Sequence, residues 1–191
     1  MHLIAVPLLL VLIACAAHAA DSKITIEDLT QRAADWYLRL AKTGDARAQT
    51  SLGLMYARGY GVPKNLAEAH RWWNFAAIQN DPGAQYNLGL TYVRGEGVAV
   101  DHERAARWFR EASRRGHVQA QHNLGMLYHE GKGVPKDARQ AYYWVRVAAL
   151  QGDTIATDTL PKISDGITVA QIAEAEAQAA AWMNKVRKLS P

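Results

Sequence analysis

Residues 45–80 read DARAQTSLGLMYARGYGVPKNLAEAHRWWNFAAIQN, residues 81–116 read DPGAQYNLGLTYVRGEGVAVDHERAARWFREASRRG, and residues 117–152 read HVQAQHNLGMLYHEGKGVPKDARQAYYWVRVAALQG. Set one above another, the three stretches agree at a period of 36 residues. Ala48, Ala84 and Ala120 coincide, and so do Leu52, Leu88 and Leu124 with Gly53, Gly89 and Gly125 directly after them. Tyr56, Tyr92 and Tyr128 follow, then two sets of glycines (59, 95, 131 and 61, 97, 133) and the valines 62, 98 and 134. The alignment continues through Ala69, Ala105 and Ala141, the tryptophans 72, 108 and 144, and the alanines 76, 112 and 148. Self-similarity at a period of about 20 to 50 residues marks tandem units that stack on one another.

Each unit reads as two helices. Ala48, Leu52, Met55 and Tyr56 fall at i, i+4, i+7 and i+8, one stripe of a helix, and Gly53 beside them lets a neighbouring backbone come close. This first helix opens at Asp45 and Asp81, where Pro82 takes the first helical position. It stops at Gly59, Gly95 or Gly131, residues that can enter the left-handed region and close a helix. A Gly-x-Gly-Val link, stiffened by Pro63 and Pro135, carries the chain to a second helix, with the valine turned inward. Asn65 with Glu68, and Asp137 with Gln140, have the spacing of a reciprocal capping box. The stripe Ala69, Trp72, Trp73, Ala76 follows, and Asn80, Gly116 or Gly152 ends the unit. Burying one such leucine or tryptophan is worth on the order of 2 kcal/mol, too little for a single helix pair to stand alone, so the units must stack.

The ends read as caps. Ala33, Trp36, Leu40, Ala41 and Gly44 repeat the second-helix pattern 36 residues before Ala69, Trp72, Ala76, Ala77 and Asn80, so a lone helix over about residues 28–44 starts the stack. Ala156 and Leu160 continue the first-helix register, but Pro161 stands where the units have glycine, and the fourth unit is expected to break there. A last helix opens at Thr168 with Gln171 as its capping partner. Ile172, Ala175, Ala179, Trp182 and Val186 form its apolar stripe, and Lys185, Arg187 and Lys188 suit the negative end of its dipole.

Leu3 to Ala17 is uncharged and almost wholly apolar, and Ala17-His18-Ala19 has the small-x-small pattern of a cleavage site, so residues 1–19 read as an export signal. The run is shorter than the ~20 residues that span a bilayer as a helix. The single cysteine, Cys15, lies within it, and cleavage after Ala19 leaves no thiol, hence no disulfide and no thiolate metal ligand. Leu12-Ile13-Ala14-Cys15 also resembles a lipobox, in which Cys15 would be kept and acylated as a lipid anchor. The organisation expected is thus a leader at 1–19, a segment and capping helix at 20–44, repeats at 45–80, 81–116 and 117–152, and a truncated repeat with a capping helix at 153–191. The net charge of +4 and the pI near 9.2 come from 22 basic and 18 acidic residues without a long run of one sign, so neither charge nor export argues for nucleic acid.

The run Ala48-x-x-x-Leu52-Gly53-x-x-Tyr56-x-x-Gly59-x-Gly61-Val62, followed by Ala69-x-x-Trp72-x-x-x-Ala76-Ala77, resembles the Sel-one-like repeat, a relative of the tetratricopeptide repeat with a longer turn. The segment from Ile167 to Trp182 resembles the terminal helix behind such arrays, so the likeness spans residues 28–182. The resemblance implies an all-α, right-handed α/α superhelix, a solenoid used in bacterial envelopes and elsewhere as an adaptor for protein assembly and signalling. Some relatives carry a cysteine pair in each repeat and are described as β-lactamase-like or penicillin-binding; this chain lacks those cysteines.

If the units stack as in the tetratricopeptide pattern, the first helices line a concave groove with the residues off their apolar stripe. That selects Thr50, Tyr86 and His122; Ser51, Asn87 and Asn123; Leu54, Leu90 and Met126; Ala57, Val93 and His129; and Arg58, Arg94 and Glu130. Amides there can bond the backbone of an extended peptide and arginines its carboxylates. The reading is therefore an exported scaffold, periplasmic or secreted, that binds another protein or peptide segment and uses no cofactor or metal. An envelope hydrolase of β-lactamase-like or cell-wall-acting type is the alternative. It is disfavoured because no serine opens a Ser-x-x-Lys or sits in Gly-x-Ser-x-Gly. His117, His122 and His129 raise the question of metal, but no acidic residue is evidently placed with them, and structural use is the expectation. Arg107, Arg110 and Arg114 read as a solvated face, with Glu103 and Glu111 four residues either side of Arg107, which could still meet an acidic partner or lipid head groups.

Overall fold

The computed structural model describes residues 24–189, with side chains as far as Val186; the expected leader, Cys15, and the basic side chains of Arg187 and Lys188 lie outside what it describes. Among the described residues there are nine helices and no strand. They group into two compact units that part between Gln79 and Asn80. The first unit holds α1 (Ile26–Lys42), α2 (Ala46–Arg58) and α3 (Leu66–Ala77). The second holds α4 (Pro82–Arg94), α5 (His102–Arg114), α6 (Val118–Glu130), α7 (Ala138–Leu150), α8 (Thr154–Ile163) and α9 (Val169–Leu189). The alternation of first and second helices is the one expected from the period.

The caps explain the boundaries. Asp45, Asp81 and Asp153 each accept the backbone N–H three residues on, at 2.7, 2.8 and 3.0 Å. Gly59, Gly95 and Gly131 close α2, α4 and α6 in the left-handed region. Asn65, Asp101 and Asp137 cap α3, α5 and α7 in the same side-chain-to-backbone way, at 3.0, 2.9 and 2.9 Å. Here the capping-box expectation for Asn65 and Asp137 needs correction. Their own amides donate not to Glu68 or Gln140 but to the carbonyls of Tyr56 and Tyr128, at 2.8 and 3.0 Å, and Asp101 does the same with Tyr92 at 3.0 Å. The link between helices is thus clamped backbone to backbone at the recurring tyrosine. Full capping boxes form instead at Thr25 with Asp28 and at Thr168 with Gln171, the latter as expected.

Leu52, Leu88 and Leu124 have no exposed surface, and Ala69, Ala105 and Ala141 none either. In the first unit Ala33, Tyr37, Ala41, Leu52, Met55 and Trp72 share one core. In the second, one cluster joins Tyr92, Ala105 and Phe109 to Leu124, Leu127 and Trp144, which fuses two successive repeats. The recurring first-helix glycines sit against the partner helix of their own repeat. A methyl group on Gly53 would come within 2.5 Å of the Trp73 indole and one on Gly89 within 2.4 Å of the Phe109 ring. Only at Gly125 does backbone come close, the Ala141 carbonyl at 2.9 Å from such a methyl, so the expected backbone approach holds for one repeat and an aromatic ring takes its place in the other two.

A second buried series also recurs at 36 residues: Gln49, Gln85 and Gln121. Gln49 donates to the Ala41 carbonyl at 3.1 Å and accepts from Gln79 at 2.8 Å. Gln121 makes the matching pair, donating to the Ser113 carbonyl at 3.1 Å and accepting from Gln151. Each such amide adds a second donor to a carbonyl at the end of the preceding helix, which the Gly44 or Gly116 amide already reaches at 3.1 or 3.0 Å, and so ties the two helices together.

The ends differ in detail from expectation. In α1 the buried aromatic ring is Tyr37, while Trp36 is 48% exposed and touches it edge-on at 4.8 Å, because no helix of this unit covers that side of α1. Pro161 does not break α8, which runs on to Ile163 and buries it. The proline removes one backbone donor on an exposed side of the helix, a loss that water can make good, and the chain turns only at Ser164 to Gly166. Beyond it, α9 buries Ala175 and Ala179 as the stripe predicts, with Ile172, Trp182 and Val186 half-buried. It lies along α7, start beside start, with Arg139 on Glu174 at 3.4 Å and with Tyr142 and Arg146 on the two oxygens of Glu176 at 2.8 and 2.7 Å.

Candidate partner-binding face

In the second unit the first helices α4 and α6, with the start of α8, bring a polar and aromatic cluster together. Tyr86, a candidate from the sequence, stacks on the imidazole of His117 at 4.4 Å between centroids and 21° between planes, with the Asn123 side chain near enough to act on its hydroxyl. Burial pushes the Tyr86 hydroxyl above its ordinary pKa, partly offset by Arg94, and it stays a neutral donor and acceptor near neutral pH. His122 lies 3.8 Å from the Asp153 carboxylate, with both side chains only 13% and 11% exposed. That corrects the expectation that no acidic residue accompanies these histidines: Asp153 is 31 positions along the chain from His122, and stacking α8 on α6 brings it in.

His117 has the structural use expected of it. It occupies the N-cap that the neighbouring units fill with aspartate, and its Nδ1 accepts the Ala120 amide at 3.3 Å. The acceptor role puts the proton on Nε2. Burial lowers its pKa to about 4, against a partial pull upward from Asp81, so at neutral pH the ring is uncharged and free to lie flat on Tyr86. The aspartates at 45, 81 and 153, set against histidine at 117, are the signal in the sequence that could have singled this residue out. Among the described residues no group of three or more His, Cys, Asp or Glu is placed to hold a metal ion.

The other candidates are placed less tightly. Asn87 and His129 are half-buried. Arg94 is exposed at the end of α4 and pairs with Glu96 at 3.7 Å, close enough to Tyr86 to act on its hydroxyl, and Glu130 pairs with Lys132 at 2.8 Å at the end of α6. In the first unit the Thr50 hydroxyl is turned back to the Ala46 carbonyl at 3.0 Å, Ser51 is half-buried, and Arg58 lies over the Tyr60 ring at 5.9 Å. Of the serines described in the second unit, Ser113 is fully buried, and the Ser164 hydroxyl donates to the Pro161 carbonyl at 2.8 Å.

A family model for the Sel1 repeat matches residues 46–81, 82–117 and 118–153, three consecutive copies that cover more than half of the chain. The chain belongs to the Sel1 repeat family. A Sel1 repeat protein from Oxalobacter formigenes is 37% identical, with 66% of this chain and 95% of that one covered and a TM-score of 0.62. A protective antigen present in uropathogenic Escherichia coli strains and displaying an SLR fold is 31% identical over 88% of this chain, with a TM-score of 0.74, although the match spans only 36% of that longer protein. Helicobacter pylori cysteine rich protein B shares the fold at 22% identity and a TM-score of 0.58, covering 71% of this chain and 98% of that one. No curated protein matches the chain. Sel1 repeats form a non-enzymatic scaffold family that generally mediates protein–protein interaction, and the all-α repeat architecture of this chain is theirs. No helix among the described residues is long and apolar enough to cross a membrane.

Proposed function

We propose that this Sel1-repeat protein is an exported scaffold that seats an extended segment of a partner protein on its first helices, centred on Tyr86. The observation that carries the reading is the cluster itself: Tyr86, His117, His122, Asn123 and Asp153 converge on one face of α4, α6 and α8. Core packing accounts for the leucine and alanine stripe of those helices but not for amides and imidazoles beside it. An asparagine can serve a peptide's N–H and C=O at once, and a half-buried tyrosine supplies contact area at small entropic cost. Asn87 and Arg94 flank the cluster, one for backbone and one for a carboxylate.

The test is capture of a partner by photo-crosslinking from position 129, in place of His129, in the native compartment, repeated with Asn87→Ala, Arg94→Ala and Asn123→Ala combined. Loss of three hydrogen-bonding groups at about 1 kcal/mol each should weaken capture by roughly two orders of magnitude. Undiminished capture by the triple variant sinks the groove. Export is part of the same proposal and rests on the apolar leader. Mass spectrometry of the mature chain should find it beginning at Ala20, whereas an acylated Cys15 would make it a lipid-anchored envelope protein instead.

A further inference from the structure

A recess of about 610 Å³ runs along α5, with Tyr92 and Trp108 as its aromatic lining, Arg104, Arg107, Arg110 and Arg114 around it and Glu111 as the one acid among its lining residues. Counting Arg115, five guanidinium groups stand here against three carboxylates, those of Asp101, Glu103 and Glu111. Arg104 lies over the Tyr92 ring at 5.6 Å, and Arg110 is held by the Tyr128 hydroxyl at 3.1 Å, with no carboxylate within ion-pairing distance among the described residues. The side chains of Arg107 and Arg114 are 62% and 61% exposed, and each pairs only with an acid on its own helix, at 3.9 and 3.1 Å. Exposed pairs of this kind hold their partners weakly, so both arginines can turn to an incoming carboxylate at little cost.

We propose that this recess is a second docking site, for an acidic protein segment that sets carboxylates on Arg107, Arg110 and Arg114 and an apolar side chain against Trp108. The excess of guanidinium groups fixes the sign of the partner. The shape fixes its class: the arginines surround a recess with an aromatic lining, which takes a protruding side chain, whereas a lipid surface offers a plane of head groups. Arginine also grips carboxylates through paired N–H donors, and this favours a peptide rich in Glu and Asp.

The test uses a short fluorescein-labelled peptide in which glutamates flank a single leucine, titrated against the purified mature protein by anisotropy in low-salt buffer. Binding is expected, with a loss of about tenfold or more in the Arg107→Glu, Arg114→Glu double variant and in the milder Arg107→Gln, Arg114→Gln pair. Circular dichroism checks that both retain helix. The peptide with glutamine for glutamate should not bind, and the Asn87, Arg94 and Asn123 variant should bind the acidic peptide normally, which separates this site from the groove. Equal binding by the charge-reversed protein, or by the glutamine peptide, overturns the proposal. So does a protein that ignores the peptide and sediments with phosphatidylglycerol vesicles, since that result assigns the arginines to a membrane surface.

Discussion

Replacing Gly133 with alanine is expected to destabilise the second unit by at least about 4 kcal/mol, a large share of the ~5–15 kcal/mol that holds a domain folded. Gly133 is the second glycine of the Gly-x-Gly link and has φ +68°, where a Cβ alone costs about 1–2 kcal/mol. The larger part comes from what the methyl group would meet. It would lie 2.1 Å from the carbonyl carbon and oxygen of His102 and 2.5 Å from the amide nitrogen of Glu103. Those atoms are the first turn of α5, the second helix of the preceding repeat, and backbone in a capped helix cannot step aside as a side chain can. Gly61 shows the same relation in the first unit, its added methyl falling 2.1 Å from the Thr30 carbonyl oxygen of α1. Gly152 is the control. With φ +90° and nothing within 4 Å of an added Cβ, its alanine variant should lose only the conformational part. Urea denaturation followed by helical circular dichroism gives both numbers, and equal midpoints for the two variants would show that the close approach carries no energy.

That glycine also shows where sequence reasoning stops. The period, the caps at Asp45 and Asp81, the left-handed closures at Gly59, Gly95 and Gly131, and the Ala-Leu-Tyr and Ala-Trp stripes were all legible, because each depends on residues within one turn or one helix. The glycine at 61, 97 and 133 recurs just as visibly, yet at 61 and 133 its reason lies 31 residues away in an earlier helix of the same unit, and a one-dimensional pattern does not say which face meets which. The buried glutamines at 49 and 121 were missed on the same ground: glutamine is ordinarily exposed, and only the end of the preceding helix beneath it makes it a bridge. The candidate face was half legible. Tyr86, His122 and Asn123 follow from helical register, but His117 and Asp153 enter it as the N-caps of α6 and α8. Arg58, Arg94 and Glu130 lie exposed at helix ends, where their side chains reach solvent and nearby groups, which register does not specify.

Acid should loosen the second unit before it loosens the first, and His117 is the group expected to do it. Its pKa falls from 6.5 in an unfolded chain to about 4 in the folded one, so between those values the unfolded state binds the extra proton. Stability from this group is therefore complete above pH 6.5, declines as the pH is lowered, and is gone near pH 4, a loss on the order of 3 kcal/mol. The geometry says why the folded ring resists the proton. Protonated, Nδ1 becomes a donor and abandons the Ala120 amide, and a positive charge arrives at the already positive start of α6. Asp81 attracts that charge, but less strongly than burial opposes it. Asn is the variant that isolates the effect, because its side-chain oxygen can still cap α6 and it does not titrate. The difference in thermal midpoint between wild type and His117→Asn should therefore change steadily from pH 6.5 down to pH 4, with carboxylates common to both chains cancelling out. Parallel curves would mean that the proton reaches the folded ring unopposed, and then the Tyr86 stack could not be the closed, neutral pair on which the partner-binding face is built.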